Sequence, residues 1–320
     1  MINLALIGVG AWGKNYVSTC KKLSNVRIKY LCAKTEETLN DFQGDFIKTN
    51  NYKDLFKYPD IDGVIIATPN ATHHEISYEF LKRGFNVLVE KPMSEDYFAS
   101  RSLLPIQKKN GAKFQVGHIY LFDPAYKKTK ELVQSIGKLR YIDFVGTNNG
   151  PLRKGTSALW DIGSHAISLC LDISQKNPKK VSAWANTSVH PGTKYFDFTS
   201  LKLELEDGIV AYIKVSWLFP VKKRELVIVG EKDSIMYDAE AKKKVIFYKN
   251  MYSKLNLPKI TYPKYSSLTP LEIEINEFVQ AIKKKKVITQ SGLAFGIKVT
   301  KVLNLAERSI AQNGKAMNYD

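Results

Sequence analysis

Gly8-Val9-Gly10-Ala11-Trp12-Gly13 is the stretch on which the reading of this sequence turns. It matches GxGxxG in full, follows an apolar run at residues 3–7 and opens a helical segment at 14–23. In a strand–turn–helix of this kind the first glycine permits a tight turn, the second lets backbone approach a pyrophosphate, and the third lets helix and strand pack closely. The helix start then presents free N–H groups and the positive end of its dipole to phosphates. The motif alone is a weak signal. Its place between a strand and a helix makes a dinucleotide-binding turn the expectation, lined by Gly8, Gly10, Ala11, Trp12 and Gly13. One feature is missing: the acidic residue that usually ends the second strand and binds the ribose hydroxyls. Here the strand at 27–33 runs out as Leu31-Cys32-Ala33-Lys34-Thr35, and Glu36 and Glu37 come too late. Lys34 is either surface charge or a partner for a 2′-phosphate.

Outward from that turn, strand and helix alternate. Uncharged runs at 63–67 and 86–89 read as buried strands, 113–116 as another strand, and 75–82 and 97–109 as helices. Such alternation indicates βαβ units and a parallel sheet. After about residue 119 the pattern changes. Asp123-Pro124 opens a helix to 135, followed by long alternating segments at 139–147, 181–189, 198–206, 209–217, 225–229 and 245–248. Glu206-Asp207-Gly208 is a hairpin signal among them, and amphipathic helices at 271–286 and 293–312 close the chain. The expected fold is an α/β Rossmann dinucleotide-binding domain over 1–119. An α+β substrate-binding and oligomerisation domain over 120–320 follows, with a large, mainly antiparallel sheet covered by helices. The C-terminal helix is free to pack back on the first domain. Because the strand at 209–217 carries apolar residues on both sides (Val210, Tyr212 and Val215 among them), the sheet's second face is expected to pair with another copy, giving a dimer or tetramer.

Composition narrows the class. At 320 residues and 44% hydrophobic content the chain can fill two cores. No stretch has the roughly 18–20 apolar residues needed to span a bilayer, so no membrane association is expected. The first strand begins almost at once, so no signal peptide is expected. Three scattered cysteines, Cys20, Cys32 and Cys170, suggest neither a disulfide framework nor a metal site, and a reducing cytoplasm fits best. The net charge of +17 is uneven, +4 over residues 1–119 and +13 over 120–320. It reads either as a lysine-rich surface or as a field for an anionic substrate. The runs Lys242–Lys244 and Lys283–Lys286 lack interleaved aromatics and look like solvated ends, so no nucleic acid is expected.

Two more segments sharpen the reading. Glu90-Lys91-Pro92 follows the strand ending at Val89, and Asp161-Ile162-Gly163-Ser164-His165 opens a helix that sets Asp161 and His165 at i, i+4 on one face. With the glycine turn and Ala67-Thr68-Pro69-Asn70-Ala71-Thr72-His73, these resemble the Gfo/Idh/MocA family of oxidoreductases over essentially the whole chain. Softer likeness points to the branch that oxidises C3 of UDP-linked N-acetylated amino sugars or their uronates. It lies in Val116-Gly117-His118-Ile119-Tyr120-Leu121-Phe122-Asp123-Pro124, Leu159-Trp160-Asp161 and Val215-Ser216-Trp217-Leu218-Phe219-Pro220-Val221-Lys222. Ala166 and Ser168 stand where many relatives carry an aspartate after the histidine.

The resemblance implies an NAD(P) cofactor, with NAD slightly favoured, held by the glycine turn together with Lys34, Thr68, Pro69, Asn70, His73, Glu90, Lys91 and His118. It puts Lys91 beside the nicotinamide and His165 opposite, with the sugar between them. Oxidising a secondary alcohol needs a hydride acceptor, which the cofactor supplies, and a base, which the protein must supply. His165, which titrates near neutral pH, is the favoured acceptor of the hydroxyl proton. Lys91 would hydrogen-bond the reacting oxygen and Asp161 would orient the sugar or the imidazole; exchange of the Lys91 and His165 roles stays open. Tyr120, Arg153, Lys154 and Trp160 are substrate candidates, though aromatics there are as often core and the two cations as often surface. His74 and His190 lack such a context. The alternatives are a dehydrogenase or reductase of a free sugar or polyol and, from another class, a non-catalytic dinucleotide sensor, against which the joint presence of Lys91, Asp161 and His165 speaks.

Overall fold

The computed structural model describes residues 1–151, 155–189, 191–193, 195–249 and 257–320. It divides into two compact units, Met1–Ile119 with Thr269–Thr300, and Tyr120–Leu268 with Lys301–Asp320.

The first unit is built on β1 (Ile2–Ile7), α1 (Ala11–Cys20), β2 (Val26–Cys32), α2 (Glu36–Asn40), β3 (Ile47–Thr49), β4 (Gly63–Ile66), α3 (His73–Lys82), β5 (Asn86–Glu90), α4 (Tyr97–Asn110) and β6 (Phe114–Gly117). Its six strands pair in parallel in the order β3-β2-β1-β4-β5-β6. Strand order reverses between β1 and β4, and the crevice beyond their carboxyl ends is where such sheets bind ligands. The glycine turn after β1 and the Thr68 loop after β4 both lie there. Every residue of β4 is buried, as the uncharged run predicts for a strand covered on both faces.

The second unit contains α5 (Pro124–Val133), β7 (Leu139–Asn149), α6 (Ser164–Ser174), β8 (Pro178–Asn186), β9 (Phe198–Leu205), β10 (Val210–Ser216), β11 (Leu218–Gly230), β12 (Ser234–Asp238), β13 (Val245–Lys249) and β14 (Lys259–Thr261). These strands and β15 (Met317–Asn318) form a nine-stranded sheet, β14-β13-β12-β11-β7-β10-β9-β8-β15. The mainly antiparallel sheet read from the sequence is present, with one exception: β7 and β10 run parallel. Asp207 and Gly208 both take positive φ between β9 and β10, the conformation a tight hairpin needs. Alternation leaves Leu201, Leu203 and Leu205 of β9 buried. Val215 of β10 also lies on the buried face, whereas Tyr212, Tyr141 and Trp184 are exposed. Every residue of α6 is buried.

Two closing helices complete the fold. α7 (Pro270–Lys284) starts with a capping box, the Thr269 hydroxyl accepting from Glu272 N–H while the Glu272 carboxylate accepts from Thr269 N–H. It belongs to the first unit, where Ile275, Phe278 and Val279 join Leu4, Leu6, Tyr16 and Val17 in the core on one face of the parallel sheet. α8 (Leu293–Ala311) carries the chain into the second unit, its residues up to Thr300 belonging to the first.

Candidate active site

In the first unit the glycine turn is built as its sequence implies. Gly8 has φ +92°, and a Cβ on it would lie 2.5 Å from the Ala67 carbonyl oxygen at the end of β4. A Cβ on Gly13 would lie 2.2 Å from the Gly8 oxygen. A Cβ on Gly10, which caps α1, would meet nothing within 4 Å. Two of the glycines are therefore demanded by packing and the middle one is not. Gly10 and Ala11 are exposed at the helix start, so the residues present fit a dinucleotide pyrophosphate approaching that N-terminus. Lys34 is exposed just past β2, before Thr35, whose hydroxyl caps α2.

The Thr68 loop is tied to the Lys91 turn by His73. Its Nδ1 lies 2.8 Å from the Pro92 oxygen and its Nε2 2.8 Å from the Thr68 oxygen. The ring is buried, and burial, aided by the Lys91 charge and opposed by the two carbonyls, lowers its pKa. Thr72 Oγ1 donates to Pro69 O at 2.8 Å, and Asn70 sits half-buried between them. Glu90 accepts from the Trp12 indole, the Tyr16 hydroxyl (2.8 Å) and the Lys91 backbone N–H (3.2 Å). It thereby joins the glycine turn to the end of β5. His118 is buried, 2.9 Å from Ser291 Oγ, and burial with the Lys91 charge pushes its pKa down to about 3, so the ring is neutral.

In the second unit the sequence predicts one regular helix from Asp161 to His165. The structure instead places Leu159–Gly163 in a π-helical turn that runs into α6. Such wide turns recur at functional sites because they re-aim side chains. Gly146 of β7 makes room for it: a Cβ there would lie 2.5 Å from Ile162 Cγ2. Asp161 and His165 are 8% and 9% exposed, nearly dry for polar groups. The Trp217 indole donates to Asp161 Oδ2 at 3.2 Å, and the Tyr120 ring stands edge-on to the His165 imidazole, centroids 4.8 Å apart. Burial raises the Tyr120 pKa, partly offset by the neighbouring Arg224 guanidinium.

Tyr120, Asp161 and His165 thus come together. Trp160 is buried and donates to Glu307 Oε1 at 2.8 Å. Arg153, Lys154 and His190 lie outside the described residues. His74 is a half-buried ring 3.2 Å from Ser102 Oγ. The sequence reading missed Arg224, whose buried guanidinium donates to Thr147 O (2.9 Å) and Asn148 Oδ1 (3.0 Å) and so fixes the end of β7 beside Tyr120. Preceded by two lysines within β11, it had no local signal.

Comparison with known proteins agrees with both halves. Residues 2–118 match the NAD-binding Rossmann fold model of the GFO/IDH/MocA oxidoreductases, and residues 126–236 match the GFO/IDH/MocA C-terminal domain. The chain is 26% identical to the uncharacterized oxidoreductase YrbE of Bacillus subtilis over 222 residues, 65% of each chain and so just under two thirds of that relative's length. Its fold is similar to that of levoglucosan dehydrogenase in complex with NADH (19% identity, TM-score 0.87, 100% of this chain and 99% of the other). It is also similar to the UDP-N-acetylglucosamine 3-dehydrogenase GnnA of Acidithiobacillus ferrooxidans (18% identity, TM-score 0.86, 97% and 98%).

Proposed function

The chain belongs to the GFO/IDH/MocA oxidoreductase family, and on that premise we propose that it oxidises the C3 hydroxyl of a UDP-linked amino sugar or its uronate. When bound, the nicotinamide dinucleotide supplies the hydride acceptor. Gly8, Gly10, Ala11, Trp12 and Gly13 would hold its pyrophosphate, Thr68, Pro69, Asn70 and His73 would shape the adjoining loop, and Lys34 would face the adenosine ribose. The alcohol proton goes to His165. Lys91 hydrogen-bonds the reacting oxygen, and Asp161, fixed by the Trp217 indole, orients the sugar or the imidazole.

The observation that carries this reading is the buried Asp161–His165 turn with Tyr120 against the imidazole. A nearly dry base next to hydrogen-bonding groups suits removal of a hydroxyl proton. Likeness to GnnA and the segments around Trp217 support a nucleotide sugar; likeness to levoglucosan dehydrogenase supports a free sugar instead. A panel of UDP-sugars and free sugars with NAD and NADP, read by absorbance of the reduced nicotinamide, separates them. Turnover of UDP-amino sugars alone is expected, and turnover of free sugars or polyols alone would overturn the nucleotide-sugar assignment. The exposed rings of Tyr141, Trp184 and Tyr212, interleaved with Lys202, Glu204 and Lys214 on one face, support self-association of the large sheet.

A further inference from the structure

A buried carboxyl in the first unit has no part in the chemistry above. Glu274 of α7 is 0% exposed. Its Oε1 lies 2.9 Å from the Tyr16 hydroxyl, which lies 2.8 Å from Glu90 Oε1. Three oxygens in a row need two protons for two hydrogen bonds, and a tyrosine hydroxyl brings one. The second must sit on a carboxyl.

The surroundings decide which. Glu90 accepts from the Trp12 indole and from the Lys91 backbone N–H, and it feels the Lys91 charge. All three favour the anion. Among the described residues no N–H reaches the Glu274 carboxyl, and its Oε2 has no partner. The charges it faces, Glu90 and Glu277, are both negative. Burial raises the pKa of both carboxyls, and Glu274 rises well above the usual carboxylate range. The site is built around the pair. A Cβ on Gly117 of β6 would lie 3.1 Å from the Glu90 carboxyl, and Gln115 Nε2 donates to the Glu274 backbone oxygen at 3.1 Å.

We infer that Glu274 is held as a neutral carboxylic acid that donates to Tyr16, which in turn donates to an ionised Glu90. The chain of donors makes Glu274 and Tyr16 positioning residues for the glycine turn. It reaches from α7 through α1 to the carboxylate that grips Trp12 and adjoins Lys91. Its effect on cofactor affinity rests on the dinucleotide reading above; the protonation state does not.

Infrared difference spectroscopy at pH 7 tests the proton directly. The wild type should show the carbonyl stretch of a protonated carboxyl, well separated from the carboxylate bands, and Glu274→Gln should lose it. Tyr16→Phe should shift that band, since the acid loses its acceptor. Absence of the band, or its loss in Glu90→Gln with retention in Glu274→Gln, would overturn the assignment. Positioning is read by NADH titration. Glu274→Gln keeps an N–H donor for Tyr16 and should hold its Kd within about twofold of wild type. Glu274→Leu has no donor and should weaken binding about fivefold, the value of one net hydrogen bond. Equal affinities in the two variants would overturn the positioning role. Failure of the wild type to bind NADH would refute the dinucleotide reading, while the infrared band decides the proton's location independently.

Discussion

Replacing Gly10 with alanine should leave the fold about as stable and weaken ligand binding, a combination that a purely structural glycine cannot give. The residue has φ −66°, which alanine adopts freely, and its Cβ would meet nothing within 4 Å. Removing glycine's freedom from the unfolded chain is worth about 0.4–1 kcal/mol, and alanine's poorer fit at the N-cap of α1 costs about as much. The two terms nearly cancel, so Tm should stay within about 2 °C of wild type. On the proposed reading the same methyl would stand where backbone N–H groups reach a pyrophosphate. Losing one charge-assisted hydrogen bond costs about 1.5–3 kcal/mol, so the NADH Kd should rise at least about tenfold. Gly13→Ala is the opposite control: its Cβ would sit 2.2 Å from the Gly8 oxygen, backbone against backbone, and overpacking of this kind costs about 1–3 kcal/mol. Thermal unfolding and fluorescence titration of the two variants give all four numbers. Unchanged NADH affinity in Gly10→Ala, with Tm unchanged or higher, would refute the idea that a phosphate approaches this turn.

Three further outcomes follow from the structure. Trp217→Phe removes the indole donor to Asp161 and should lower kcat about tenfold while NADH affinity, read by titration, stays within about twofold, since a hydrogen bond to a charged group is worth about 1.5–3 kcal/mol. Lys34→Asp puts a like charge where a 2′-phosphate would lie and should weaken NADP much more than NAD; equal losses would mean that Lys34 does not face the ribose. Light scattering at micromolar concentration should find a dimer or tetramer, and Tyr212→Glu on the exposed sheet face should shift it toward monomer.

Much of this was legible because it is local. An apolar run meeting GxGxxG specifies β1, the turn and α1, and the lack of charge in 63–67 marks a strand buried on both faces. The Glu-Asp-Gly sequence marks the β9–β10 hairpin because two positive φ values need such residues. What was illegible depends on distant partners. β11 reads from sequence as 225–229 but spans Leu218–Gly230, since Pro220 and the cations at 222–224 disguise it, and its register shifts between Leu218 and Lys223. β3, β14 and α2 are too short to carry a periodic signal. The π-helical turn at Asp161 has no pattern of its own, and Glu274 looks like any helix-surface glutamate until Tyr16, 258 residues away, is placed against it.

In the proposed reaction hydride leaves C3 and the hydroxyl proton passes to His165. The most direct measurement is turnover of a UDP-amino sugar deuterated at C3, with mass analysis of the reduced dinucleotide, for the wild type and His165→Ala. The deuterium should appear in the reduced dinucleotide, and His165→Ala should still bind NADH but turn over at least about a hundredfold more slowly. Reduced dinucleotide without deuterium, or near-normal turnover in His165→Ala at saturating substrate, would contradict it.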